Sequence, residues 1–205
     1  MILFFIYFQI LPEKESFTYQ TIDRGKTGEI EVISQKDNLG YHIIYTSDRF
    51  IEVVLDTLNL QTFYLRKVVN GKLDLTISRR NNFEVWFKGK KRLYKEDEPV
   101  YDRHTLDFVF RGFEYNKNFK KRIRLHVPEL MIVNADIKVI GEEIISGPCG
   151  DIPCWEIKMT PRVIFMRTKY FFWIEKNYPH RFIKYMDSTG KNQILLIRYE
   201  VDSSR

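Results

Sequence analysis

Apolar and polar residues alternate with a period of two through most of the chain. Phe17, Tyr19 and Thr21 alternate with Thr18 and Gln20, Ile30 and Val32 with Glu29 and Glu31, and then Tyr41, Ile43 and Tyr45 follow. Successive strand residues face opposite sides of a sheet, so this pattern predicts strands with one buried and one wetter face. Glycines at the corners 23–28 and 36–40 supply the positive φ of hairpin turns. The stretch 48–58 fits a helical stripe (Ile51, Val54, Leu55, Leu58) and a strand (Ile51, Val53, Leu55); its β-branched content and short length favour the strand. Clean alternation resumes at Phe63/Leu65, at Leu73/Leu75/Ile77 and at Phe83/Val85/Phe87. Further strands are expected over 122–127, 136–145, 154–159, 165–175, 181–186 and 193–201. Within 165–175, the run Tyr170–Ile174 is apolar on both faces and needs cover on both sides.

One segment breaks the period. Leu106, Val109, Phe110 and Phe113 recur at i, i+3, i+4 and i+7, Asp102 or Thr105 can cap the start, and Gly112 can end it. This predicts a short amphipathic helix inside an otherwise all-β chain. Counting the runs gives about 11–13 strands, more than a barrel filled by its own side chains requires. The expected fold is therefore mainly β, an incomplete antiparallel barrel wrapped around a short helical lid or plug. The candidate apolar ligand-binding residues are Leu106, Val109, Phe110 and Phe113 on the helix and Phe63, Leu65, Phe83, Phe87, Trp155 and Phe172 on strands. Phe110 and Phe113 are expected to point into the cavity.

The 205 residues read as one domain over 13–205, because no Gly/Ser/Pro-rich linker interrupts them. Residues 1–12 open with MILFFIYFQIL, too short to span a bilayer as a helix, and read as the remnant of an export signal or as a first strand. Aromatic residues make up 15% of the chain, more than strand propensity alone requires. They serve core packing or ligand contact equally well. The net charge of +6 is concentrated in Arg79-Arg80, in 88–92 and in 117–124. These runs suit either solvated strand edges or contact with an anionic surface, for which Lys120, Lys121, Arg122 and Arg124 are the candidates. Trp86 falls on the polar face of its strand, which suggests contact with another element, a membrane or a partner.

Signatures of chemistry are sparse. Cys149 and Cys154 lie in GPCGDIPCW. A disulfide across this turn and a reduced pair, with Cys154 as a small buried strand residue, both fit. His42, His104, His126 and His180 form no metal-ligand spacing. Asp102, His104 and Asp107 cluster at the helix start, where capping competes with an acid/base role. There is no G-x-S-x-G, P-loop or G-x-G-x-x-G. Neither an enzyme, nor a cofactor, nor a metal is expected.

Four stretches carry a resemblance: FTYQTIDRGKTGEIEV, LDTLNLQTFYLRKVVNGK, YDRHTLDFVFRGF, and GEEIISGPCGDIPCWEI followed by YFFWIEKNYPHRFIKYMDSTGK. In this order the chain resembles exported bacterial proteins, mostly uncharacterised, that share the open β-barrel fold of periplasmic lipoprotein carriers (LolA/LolB-like). The resemblance implies a periplasmic or otherwise exported protein that binds or transports a lipid or lipoprotein acyl chain without catalysis, with transient membrane contact. It departs from that pattern in lacking a convincing signal sequence and a lipobox cysteine. The alternative is a binding module for nucleic acid or an anionic surface acting through the basic turns; of these two, nucleic acid is not the expected partner.

Overall fold

Tight hairpins convert the alternating runs into strands. The computed structural model describes residues 10–79, 82–95, 98–128, 131–163 and 168–202. Strand β1 (Lys14–Asp23) turns into β2 (Lys26–Lys36) through Arg24 and Gly25, both at positive φ. Asn70-Gly71 does the same between β5 (Thr62–Val69) and β6 (Lys72–Arg79), and Lys88-Gly89 between β7 (Phe83–Phe87) and β8 (Lys90–Tyr94). Two successive positive-φ residues match the right-handed twist of the flanking strands, which is why a two-residue loop suffices.

The remaining strands are β3 (Tyr41–Thr46), β4 (Arg49–Leu55), β9 (Val100–Asp102), β10 (Lys120–Val127), β11 (Met131–Gly147), β12 (Gly150–Pro161), β13 (Tyr170–Glu175), β14 (Phe182–Asp187) and β15 (Asn192–Val201). All fifteen belong to one sheet in the order β8-β7-β6-β5-β4-β3-β2-β1-β15-β14-β13-β12-β11-β10-β9. The first strand therefore pairs with the last, and two meander wings descend from that seam. The sheet is antiparallel except where β9 runs parallel to β10. Its ends, β8 and β9, do not pair with each other, so the barrel stays open.

The count exceeds the expected 11–13, and the surplus has two sources. β8 is KKRLY, whose charges hide any alternation, as suits a sheet edge that must not recruit another strand. β9 has three residues, too few to show a period. The ambiguous stretch 48–58 resolves as the strand β4. Of the expected first element, 1–9 lie outside the described residues. Leu11 and Pro12 are buried ahead of β1, and the Leu11 N–H and C=O both bond the Tyr41 hydroxyl at 3.2 Å. Residues 165–167 of the expected run 165–175 also lie outside them.

The helical segment forms as a turn of 3-10 helix (Arg103–Thr105), the helix α1 (Leu106–Val109) and a second 3-10 turn (Phe110–Gly112). Asp102 caps it, its side chain accepting the His104 N–H at 2.8 Å. Gly112 packs closely under Leu60: a Cβ there would stand 2.7 Å from Leu60 Cδ1, so a larger residue would have to displace that side-chain end. The segment is pinned inside the curl by aromatic contacts. Phe108 meets Phe17 and Tyr45 edge-on at 6.0 and 6.3 Å, and Phe110 meets Phe172 at 4.6 Å. Arg111 adds a buried clamp to β1, with Nη1 and Nη2 donating to Glu15 Oε1 and Oε2 at 2.7 and 2.9 Å. The Tyr199 hydroxyl and the Pro179 carbonyl complete the shell, so two charges taken out of water are both paired and hydrogen-bonded.

The doubly apolar strand β13 finds cover on both faces. Phe172 faces the concave side. On the other, Trp173 Nε1–H donates to Glu143 Oε2 at 2.6 Å, and the Lys184 ammonium lies 4.5 Å from its ring.

Candidate functional site

The curl leaves a cavity of about 870 Å³ between the helical segment and the concave faces of both wings. Its apolar wall combines Leu106 with Ile30, Val32 and Ile51 from one wing and Leu125, Met159, Phe172, Phe182 and Ile194 from the other. These side chains converge because each lies on the inward phase of its strand's alternation. Tyr19, Tyr45, Tyr170 and Tyr185 add amphipathic rings, while Lys26, Arg49, Arg103 and Glu29 belong to the polar part of the lining.

Two acid groups distinguish this wall. Asp107 faces the cavity and accepts the Tyr45 O–H at 3.0 Å on each carboxylate oxygen. Burial pushes its carboxyl up to about 6, against the opposing pull of Tyr45 and of the Arg111 guanidinium. Asp102 behaves oppositely. It is fully buried between two imidazoles, with His104 Nδ1–H donating to Oδ1 at 2.7 Å and His126 Nδ1–H to Oδ2 at 2.6 Å. Burial alone would raise its pKa, but His104 and then His126 outweigh it and hold the carboxyl well below the ordinary range. His104 borders the cavity, whereas the His126 ring packs edge-on against Phe83 at 5.2 Å and Tyr94 at 6.2 Å. A carboxylate that fixes the Nδ1 proton leaves the His104 Nε2 as the position free to exchange a hydrogen bond with an occupant.

The candidate residues divide. Leu106 and Phe172 line the cavity. Val109 and Phe110 are fully buried behind it, Phe110 filling the space against Phe172 rather than facing open volume. Phe113 joins Tyr101, Tyr115 and Phe119 in an aromatic cluster behind the helical segment. Leu65 and Phe83 are fully buried core, and Phe87 is half-buried with the Lys88 ammonium 5.1 Å from its ring. Phe63 is 46% exposed because β5 slips register against Val54/Leu55, leaving it unpaired between Thr62 and Tyr64. Trp155 is half-buried, with Lys176 Nζ 4.4 Å from its ring. Lys120, Arg122 and Arg124 share the outer face of β10, whereas Lys121 has the opposite phase and sets its ammonium 4.3 Å from the Phe113 ring. Trp86 stays 44% exposed, its Nε1–H donating to Glu84 at 2.8 Å.

The proposed cysteine bridge does not form; both thiols are free. Cys149 sits in the β11–β12 turn while Cys154 lies five residues along an extended strand. That path separates their Cα atoms by roughly 13–16 Å, about twice what a disulfide tolerates. Burial pushes the Cys154 thiol up to about 12, and it donates weakly to the Ile152 carbonyl at 3.4 Å.

The Asp102–His104 neighbourhood is legible at the helix start, but the Asp102–His126 pairing and the Tyr45–Asp107 contact escape a reading of the sequence, since those partners are far apart in the chain. The signal for the Asp102–His126 pairing is the register of the short parallel pair, where Asp102 stands directly opposite His126. Among the described residues, no group of three or more His, Cys, Asp or Glu could hold a metal, and no helix is long and apolar enough to cross a membrane.

The fold defines this chain as an open, curled β-sheet protein with an internal helical segment. It is similar to the β-barrel-like protein of a domain of unknown function, DUF1849, from Brucella abortus, with a TM-score of 0.58 at 10% identity, over 94% of this chain and 99% of that one. Looser likenesses include a protein with a YmcC-like fold from Bacteroides fragilis (TM-score 0.38, 11% identity, 94% and 99% covered). Another is the MucA/MucB complex of Pseudomonas aeruginosa (TM-score 0.38, 12% identity), where the chain matches 53% of the solved chain. No family model and no curated protein matches the chain in sequence.

Proposed function

We propose that the protein is a non-enzymatic binder or carrier of a hydrophobic ligand, an acyl chain of a lipid or lipoprotein, in the bacterial cell envelope. The observation that carries this reading is the cavity. At about 870 Å³ it falls within the range of small-molecule sites, and it is apolar in its wall with a few convergent polar groups. A His104–Asp102 pair and Asp107 at one wall supply what a ligand's polar end needs, while the aliphatic and aromatic residues suit its chain. Placement in the envelope, and kinship with lipoprotein carriers, rest on the sequence resemblance and on the apolar opening stretch. A nucleic-acid module finds less support, because the aromatics interleaved with the basic runs are engaged. Tyr94 packs on Phe83 and His126, and Tyr115 and Phe119 pack on Phe113.

The test is displacement of a fluorescent fatty acid, with native mass spectrometry of protein purified from its host. Ile30→Trp combined with Ile194→Trp fills the cavity from two half-buried wall positions. The double variant should keep the wild-type circular dichroism spectrum and lose binding at least tenfold. Undiminished binding by a folded variant, or no acyl species bound by the wild type under either assay, would overturn the reading.

A further inference from the structure

The outer face of β10, β11 and β12 carries an arrangement that sheet physics disfavours. Strand register sets Lys120 directly opposite Lys138, and Lys138 directly opposite Lys158. Neighbouring strands lie about 4.8 Å apart, so three ammonium-bearing side chains rise in one row about 10 Å long. Like charges directly opposite one another destabilise a sheet. None of the three makes a salt bridge among the described residues. The acid in the groove they border, Asp136, is taken by Arg122 at 2.8 Å and Arg162 at 2.6 Å. Burial, and then the neighbouring Lys169 and Lys138, push the Lys158 ammonium down from its usual value, consistent with crowding of like charge.

The same row continues in register through Phe171 and Met186, both half-buried and on the outside, since their neighbours Phe172 and Tyr185 face the cavity. A cationic row beside apolar side chains is the chemistry of a membrane interface, where anionic headgroups lie next to the acyl boundary.

We propose that the face formed by Lys120, Lys138 and Lys158, with Phe171 and Met186 at its flank, docks the protein onto an anionic membrane through lipid headgroup phosphates. The groove there, about 590 Å³, is shallow and lies on the far side of the wall whose inner face carries Met159 and Phe172. The docking site is therefore separate from the cavity, and stands whether or not an acyl chain fills that cavity.

The experiment is co-sedimentation of the full chain with vesicles containing about one-third phosphatidylglycerol in phosphatidylcholine, against pure phosphatidylcholine. Each of Lys138→Gln and Lys158→Gln should weaken binding about fivefold, the worth of one cation near an anionic surface. Lys91→Gln, which removes the same unit of charge from the β8 edge, should not. Because the row is repulsive, Lys138→Gln should also melt no lower than the wild type at low salt, whereas a structural lysine would melt lower. Fatty-acid binding should be unchanged in these variants, which separates failure here from failure of the cavity reading. Four results would overturn the proposal: equal binding to neutral vesicles, an equal loss in Lys91→Gln, full competition by inorganic phosphate at constant ionic strength, or binding of a single-stranded oligonucleotide with no binding of vesicles.

Discussion

Replacing Asp107 by Asn tests the electrostatics of the cavity wall. In the folded chain the carboxyl ionises at about 6 instead of the ordinary 3.8, chiefly because burial disfavours its charge. The folded state then binds a proton more tightly than the unfolded one. Between about pH 4 and pH 6 folding takes up protons, so stability falls as pH rises through that window and stays lower above it. A shift of about two units corresponds to at most about 3 kcal/mol. Asp107 is only half-buried and faces an open cavity, so solvent screening should reduce the observable share to about 1–2 kcal/mol. Asn keeps one oxygen that accepts the Tyr45 O–H, and its NH2 replaces the other oxygen beside the same hydroxyl, to which it can donate. The variant should therefore be about 1–2 kcal/mol more stable than the wild type near pH 7.5, and no more stable near pH 4. Urea unfolding followed by tryptophan fluorescence across that range measures the difference directly. A destabilised variant at neutral pH, or a difference that does not change with pH, would refute the argument.

Two further substitutions probe the segment's anchors. Phe110→Ala should cost about 3–5 kcal/mol in thermal or urea unfolding, because its ring is fully buried against Phe172 rather than bordering open volume; a loss below about 1 kcal/mol would show the packing to be loose. Asp102→Asn should cost about 3–5 kcal/mol, since it removes the buried charge held between two histidines, of which His126 stays fully buried. Fluorescence-detected unfolding near pH 7 checks this, and a near-neutral effect would contradict the clamp.

What the sequence discloses and what it hides follow from the range of each signal. Period-two alternation is local, so among the described residues thirteen of the fifteen strands are readable from their neighbours, and so is the helical segment. Strands that need no alternation are not: β8 is an edge armoured with lysines, and β9 is three residues fixed by its partner. The cavity is legible as an expectation of fold, because an open sheet with one internal helix must leave or fill a concave space. Its lining is not, for two physical reasons. Bulges in β5 and β11 reverse which residues face inward, so Phe63 turns outward despite a regular pattern. The helical stripe also reports burial without distinguishing packed contact from open volume, which is why Leu106 reaches the cavity and Phe110 does not. Charge is hidden in the same way. Lys120, Lys138 and Lys158 are about twenty residues apart in sequence and become neighbours only through register. A basic run such as 117–124 signals itself, yet pleating splits it, sending Lys120 and Arg122 outward while Lys121 folds onto Phe113. The row that can meet a flat anionic surface is therefore built across strands rather than along the run. Its lysines sit where a sheet would otherwise place opposite charges or small polar residues.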